Sequence, residues 1–277
     1  MPQLQAPIQP TTPTKLSDSL PEGADLLPTV VRDCILNGTC VTPDGRTFTF
    51  GSSSVKLTEA IHLYRVVNHL RPLESAEVGL CQAVSTLAIV QAMEDYHAPG
   101  KHHVIDPFQS TVWHNCGLMN IKAAGLERRV SFYEKFVEEV APTLPPIQFG
   151  FIDGSHIFDL TILDFLLLDK RLEVGGVLGF HDMWMPAIQK VLRFILTNRA
   201  YSAYREVDGI HAPSPMKRRI KSTIAPLFKI AARTPGLALL LNPTLIQPLW
   251  TLGIEGNMVF VQKKANDNRE YKFYKDF

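Results

Sequence analysis

Four short segments of this chain share one pattern: an apolar, β-prone run that ends in glycine, acid or histidine. They are residues 76–79 leading into 80–86 (AEVG, LCQAVST), 104–107 (VIDP), 149–156 (FGFIDGSH) and 175–182 (GGVLGFHD). In an open parallel sheet, ligands bind in the crevice beyond the carboxyl ends of the strands. Four strand ends of this kind therefore predict one site served by several strands.

The segments between them carry the helix period. Leu57, Ile61, Tyr64 and Val67 recur at three- and four-residue spacing, one face of an amphipathic helix over about 54–70. Arg71-Pro72 ends it, because proline disfavours helix in the residue before it. Further helices are expected over about 84–95, 112–124 (closed by Gly125), 136–140, 158–170 and 188–198, with strands at 103–106, 129–133, 149–153 and 177–180. Gly175-Gly176 reads as a turn ahead of the last of these strands. Strand and helix alternating at this spacing predict an α/β fold: a Rossmann-like doubly wound sheet, mostly parallel, with helices on both faces.

The ends of the chain differ. Residues 1–27 are rich in Pro, Thr, Gln and Ser and predict a disordered leader or a strap. Residues 28–56 predict a small appendage, with Asp44-Gly45 as the tip of a β-hairpin. The main domain then occupies 57–277. Strands are expected at 204–207 and 258–262, with a helical insertion at about 211–255 that serves as a lid or dimer contact.

Composition narrows the partners. The formal net charge of +1 gives no global reason to expect nucleic acid. The four cysteines form no C-x-x-C pair, which leaves a zinc or thioredoxin-like motif unsupported. The first residues show no charged and apolar leader pattern, and no apolar run has the length of a transmembrane helix. A cytoplasmic protein with free thiols is the expectation.

Within the ladder, each strand end offers specific chemistry. Gly79 allows a tight turn and close backbone approach to a ligand, and Ser85 is expected to cap the following helix. Asp106 lies at the offset that suits a hydrogen bond to ribose hydroxyls. Asp153 follows an apolar strand, and His156 has the side chain of a base near neutral pH. His181-Asp182 ends the next strand, so Asp153 and Asp182 are expected on neighbouring strand ends. They either bind a divalent metal or orient the substrate. Phe108, Trp113 and Trp184 lie near these positions as stacking platforms or as core.

Taken in order, E-V-G-x-x-x-x-x-S-T, I-D-P, D-G-S-H and G-G-V-L-G-F-H-D resemble the class I S-adenosylmethionine-dependent methyltransferases, in their bacterial small-molecule O-methyltransferase branch. The resemblance spans about 57–199, with 258–262 matching the family's last, antiparallel strand. It implies that Glu77 and Gly79 line the methionine and ribose end of S-adenosylmethionine. Asp106 would hold the ribose, Ser85 would be among the cofactor-binding residues, and Asp153 would face cofactor and substrate. It also implies methyl transfer to an oxygen of a small-molecule acceptor, with Asp153, His156 and His181 as catalytic candidates. A divalent cation, magnesium or manganese, would sit at Asp153 and Asp182 where one is used. Two positions depart from the pattern: Ala83 replaces a motif glycine, and His181 replaces an acid common in metal-dependent members.

Two other readings compete. A nicotinamide-dependent oxidoreductase shares the strand-turn-acid logic, although residues 79–83 lack its glycine fingerprint. A catalytically retired fold could instead act as a membrane-surface or protein-binding module, because the basic run at 216–221 adjoins apolar sequence. That apolar content also favours a homo-oligomer.

Overall fold

A computed structural model of the chain describes residues 20–50, 54–205, 207 and 256–277. The leader through residue 19 and the insertion at about 211–255, with its basic run, lie outside the described residues. The chain divides into two compact units, Met1–Val140 and Ala141–Phe277.

The first unit begins with α1 (Thr29–Asn37), which closes at Gly38 in the left-handed region (φ 62°). There follow an antiparallel pair, β1 (Thr39–Val41) and β2 (Thr47–Thr49), and the helix α2 (Leu57–Leu70). The bend around Asp44 is pinned by its own side chain, which accepts hydrogen bonds from the Thr42 hydroxyl and from Arg46 Nε. α2 buries Leu57, Ile61, Tyr64 and Val67, the periodic stripe read from sequence, with Ala60 beside them. It stops where Arg71, the residue before Pro72, turns left-handed (φ 49°).

Then come β3 (Ser75–Val78), α3 (Val84–Asp95), β4 (His102–Ile105), α4 (Cys116–Ala123), β5 (Val130–Tyr133) and the short α5 (Val137–Val140). β4 pairs in parallel with β3 on one side and β5 on the other. All four residues of β3 and all four of β4 are buried. Both strands nevertheless carry polar side chains into the interior, Ser75 and Glu77 from β3 and His102 and His103 from β4, and buried polar groups of this kind need partners there.

The second unit holds β6 (Ile147–Ile152), α6 (Phe158–Asp169), β7 (Leu172–Phe180), α7 (Pro186–Asn198), β8 (Tyr201–Ala203) and β9 (Val259–Lys263). β6 and β7 are parallel, while β9 runs antiparallel to β7 and to β8. α7 presents Ile188, Val191, Leu192 and Ile195 as one buried stripe. Asp169 ties the base of this unit together: it accepts from the Tyr201 hydroxyl at 2.5 Å and pairs with Arg199. The fold is Rossmann-like α/β, mostly parallel with an antiparallel last strand, with helices flanking the strands.

Three local expectations are corrected. Gly175-Gly176 is not a turn between elements but part of β7. The register against β6 jumps there, from Ile147↔Leu172 to Phe149↔Val177, and Gly175 absorbs the irregularity at φ 92°. The strand expected at 204–207 is β8, three residues earlier, because Tyr201 is the residue that docks on Asp169. α4 starts at Cys116 rather than near Val112, because His114 and Asn115 both adopt left-handed conformations that α-helix cannot propagate.

Candidate functional site

The singled-out residues fall into two clusters, each at the carboxyl ends of parallel strands within its own unit.

In the first unit, the loop after β3 has an unusual backbone. Gly79 (φ 100°), Cys81 (φ 46°) and Ala83 (φ 65°) all adopt positive φ. Only glycine does so freely, and left-handed geometry costs other residues about 1–2 kcal/mol each. Such strain persists where the surroundings over-determine it, and it concentrates at functional sites. Here Asp106 supplies the constraint. Its Oδ2 accepts the backbone N–H groups of Leu80 and Cys81, both at 3.1 Å, and its Oδ1 accepts that of Phe108 at 2.9 Å. Asp106 is only 4% exposed. In this structure it organises the loop, while Oδ1 keeps a lone pair to spare.

One expectation about this loop gives way. Ser85 does not cap α3: the cap position is Ala83, no side chain caps it, and Ser85 is buried in the first turn. Glu77 lies near the end of β3. It is fully buried, with Oε2 accepting from the Thr86 hydroxyl at 2.5 Å and lying 3.0 Å from His102 Nε2. The His102 ring continues to Ser75 Oγ at 2.8 Å. Glu77 is thus the centre of a buried polar chain that fastens α3 to β3 and β4.

Sequence reading missed Gln109. It is fully buried and bonds the Cys81 carbonyl, Asp106 and the Gly117 N–H. The signal available was only a polar residue three positions after Asp106. Phe108, half exposed, packs edge-on against Phe136, whereas Trp113 packs against Phe48 of the hairpin.

In the second unit, Asp153 and His156 follow β6, and His181 and Asp182 follow β7. His156 and Asp182 are left-handed (φ 59° and 54°), and this turns both side chains back toward Asp153. His156 Nε2 lies 3.1 Å from Asp153 Oδ1 and 3.0 Å from Asp182 Oδ2. His181 Nδ1 lies 3.4 Å from Asp153 Oδ1 and 3.4 Å from Asp182 Oδ1. The four side chains are one electrostatic unit.

Burial opposes charge on the His156 ring, but its hydrogen bonds to Asp153 and Asp182 outweigh that and push its pKa up to about 9. Burial would also raise both carboxyls. The two histidines reverse the effect and hold Asp153 and Asp182 below the ordinary carboxylate range. The raised pKa favours the protonated ring at neutral pH. The ring carries its proton between two carboxylates. Asp153, His181 and Asp182 each offer a ligand atom, all within 4.8 Å of one another. Two further residues frame the cluster: Asn257 Nδ2 lies 3.3 Å from His181 Nε2, and the exposed Trp184 donates its indole N–H to Asp182 Oδ1 at 3.0 Å.

Residues 76–183 match the family model described as a methyltransferase domain, and they contain Glu77, Gly79, Asp106 and Gln109 of the first cluster and Asp153, His156, His181 and Asp182 of the second. This segment is a methyltransferase domain. No curated protein matches the sequence. Among solved structures, a provisionally assigned O-methyltransferase from Klebsiella pneumoniae is 13% identical, with 68% of this chain and 83% of that chain covered and a TM-score of 0.51. The O-methyltransferase from Bacillus cereus in complex with S-adenosylhomocysteine is 17% identical, covering 55% and 75%, with a TM-score of 0.48. A Podospora anserina methyltransferase bound to S-adenosylhomocysteine is 13% identical, covering 91% and 92%, with a TM-score of 0.49. No helix among the described residues is long and apolar enough to cross a membrane.

Proposed function

We propose that this chain transfers a methyl group from S-adenosylmethionine to an oxygen of a small-molecule acceptor. The observation that carries the reading is the coincidence of the methyltransferase-domain match with both strand-end clusters. The first unit fits a cofactor, because Gly79 leaves the end of β3 without a Cβ and the strained loop is already fixed by Asp106. Gly79, the 80–83 backbone and the spare lone pair of Asp106 Oδ1 are the groups we assign to it. When bound, the cofactor supplies an electrophilic methyl on a sulfonium.

The second unit serves the acceptor. Asp153, ionised at neutral pH, accepts a hydrogen bond from the acceptor hydroxyl and orients it. Orientation of this kind removes a large share of a bimolecular barrier. His156 holds its proton at Nε2 and keeps two adjacent carboxylates from repelling each other. We assign the acceptor's proton to this cluster of His156, His181 and the two carboxylates as a whole.

The same donors fit a divalent ion. Two carboxylates and one imidazole suit manganese, iron or zinc, and magnesium less well. Asp153, Asp182 and His181 would hold it through the atoms that already face one another, with the Asn257 amide nitrogen 3.3 Å from His181 Nε2 on the far side of the ring. A bound ion would lower the pKa of the acceptor hydroxyl.

The test is calorimetric titration of the full chain with S-adenosylhomocysteine, in chelator and then with manganese or magnesium. Micromolar binding is expected. A folded sample that binds under none of these conditions overturns the reading.

A further inference from the structure

Gln109 sits where three backbone segments of the first unit meet. Its Nε2 donates to the Cys81 carbonyl at 3.0 Å and to Asp106 Oδ2 at 3.4 Å, and its Oε1 accepts the Gly117 N–H at 3.2 Å. Its own carbonyl accepts the Asn115 N–H at 2.8 Å. The side-chain amide is thereby satisfied on both ends and fully buried.

The approach it bridges is tight. A Cβ at Gly117 would come within 2.5 Å of the Cys81 carbonyl oxygen. Cys81 is thus held on both sides, its N–H by Asp106 and its C=O by Gln109. Fixing the N–H and the C=O of one residue fixes the two peptide planes that flank its Cα, and Cys81 is a left-handed residue that would relax if released.

We propose that Gln109 is a positioning residue for S-adenosylmethionine: it clamps the 79–83 loop in its binding conformation before the cofactor arrives. This rests on the methyltransferase reading above. Clamping beforehand means that binding does not spend energy on ordering the loop. The amide also leaves Asp106 less to do, because Oδ2 and the Cys81 carbonyl are fastened to the same side chain.

The test is Gln109→Met, which keeps volume and removes every side-chain hydrogen bond. Loss of these three buried hydrogen bonds predicts S-adenosylhomocysteine binding weaker by about tenfold or more. A loop-specific readout accompanies it. Cys81 is the only partly exposed cysteine; Cys34, Cys40 and Cys116 are buried. Alkylation at Cys81, followed by peptide mass spectrometry, is expected to be several-fold faster in the variant and to slow again with S-adenosylhomocysteine. Gln109→Glu keeps the acceptor facing Gly117 but sets a second carboxylate beside Asp106, and it serves if Gln109→Met does not fold; its binding is expected to fall at least as far. Wild-type affinity and wild-type Cys81 labelling in a folded variant overturn the positioning role. Failure of the wild-type chain to bind S-adenosylhomocysteine overturns the cofactor reading instead.

Discussion

His156 Nε2 stands 3.0 Å from Asp182 Oδ2, and both residues reach that contact by adopting left-handed backbone conformations. The contact decides how the cluster behaves with pH, because it fixes a proton that the isolated imidazole would lose near neutrality.

The first prediction follows from that proton. The His156 pKa is raised from 6.5 to about 9 in the folded chain. Its contribution to stability is complete below pH 6.5 and is lost as pH rises through 9. Asp153 and Asp182 are depressed below 3.8, so their contribution is present above that value and is lost as pH falls through their folded pKa values. Thermal melts in chelator should show a decline across the alkaline window. His156→Ala should flatten it and lower stability at pH 7 by roughly 1 kcal/mol or more. An unchanged alkaline slope in the variant would refute the shared proton.

Asp153 is assigned to orient the acceptor. Asp153→Ala should lower methyl transfer at saturating S-adenosylmethionine by about 100-fold, the scale on which a misplaced reactant loses rate. The measurement uses labelled cofactor and a panel of hydroxyl acceptors. Undiminished transfer would remove Asp153 from the catalytic set.

Asp106 should matter to the loop even without ligand. In Asp106→Asn one oxygen becomes an amide, so part of the set of backbone donors at Leu80, Cys81 and Phe108 loses its charged acceptor. Hydrogen bonds to a charged group contribute about 1.5–3 kcal/mol, so a loss of about 2 kcal/mol in unfolding free energy is expected in urea. Weaker S-adenosylhomocysteine binding should accompany it. A variant as stable as wild type would show that the loop does not depend on Asp106.

Ala83 tests the strained turn by size. Ala83→Gly relieves about 1–2 kcal/mol of left-handed strain. Against this stand about 0.4–1 kcal/mol of chain entropy and about 0.8 kcal/mol of buried methyl. The net change should stay within about 1 kcal/mol. Ala83→Val places a β-branched side chain at a fully buried left-handed position and should cost more than 2 kcal/mol by the same reasoning. Equal stability of the two variants would contradict the backbone described here.

The elements were legible because the hydrophobic period carries them. α3 falls on the residues its sequence predicts, and the α2 stripe is the one read from spacing. The local errors have a common cause. Ser85 looked like a cap because serine is a good one, but capping is decided by which residue leaves the helical region, and that residue is Ala83. Gly175-Gly176 looked like a turn because glycine marks both turns and bulges, and only pairing with β6 separates the two. Gln109 had no motif to announce it; its importance comes from three segments distant in sequence that converge on one amide.

By itself, the sequence determined the strand-and-helix alternation, the polar strand ends and the chemical types gathered there. These are local properties, set by side-chain period and by the turn residues that end each run. Only the tertiary structure decided what those groups do. It closed Glu77 into a buried chain, turned Asp106 onto the loop and gave His156 a proton shared by two carboxylates. The physical reason is that burial and charge pairing act over a few ångströms of space, and the chain brings into that range residues that composition and spacing leave far apart.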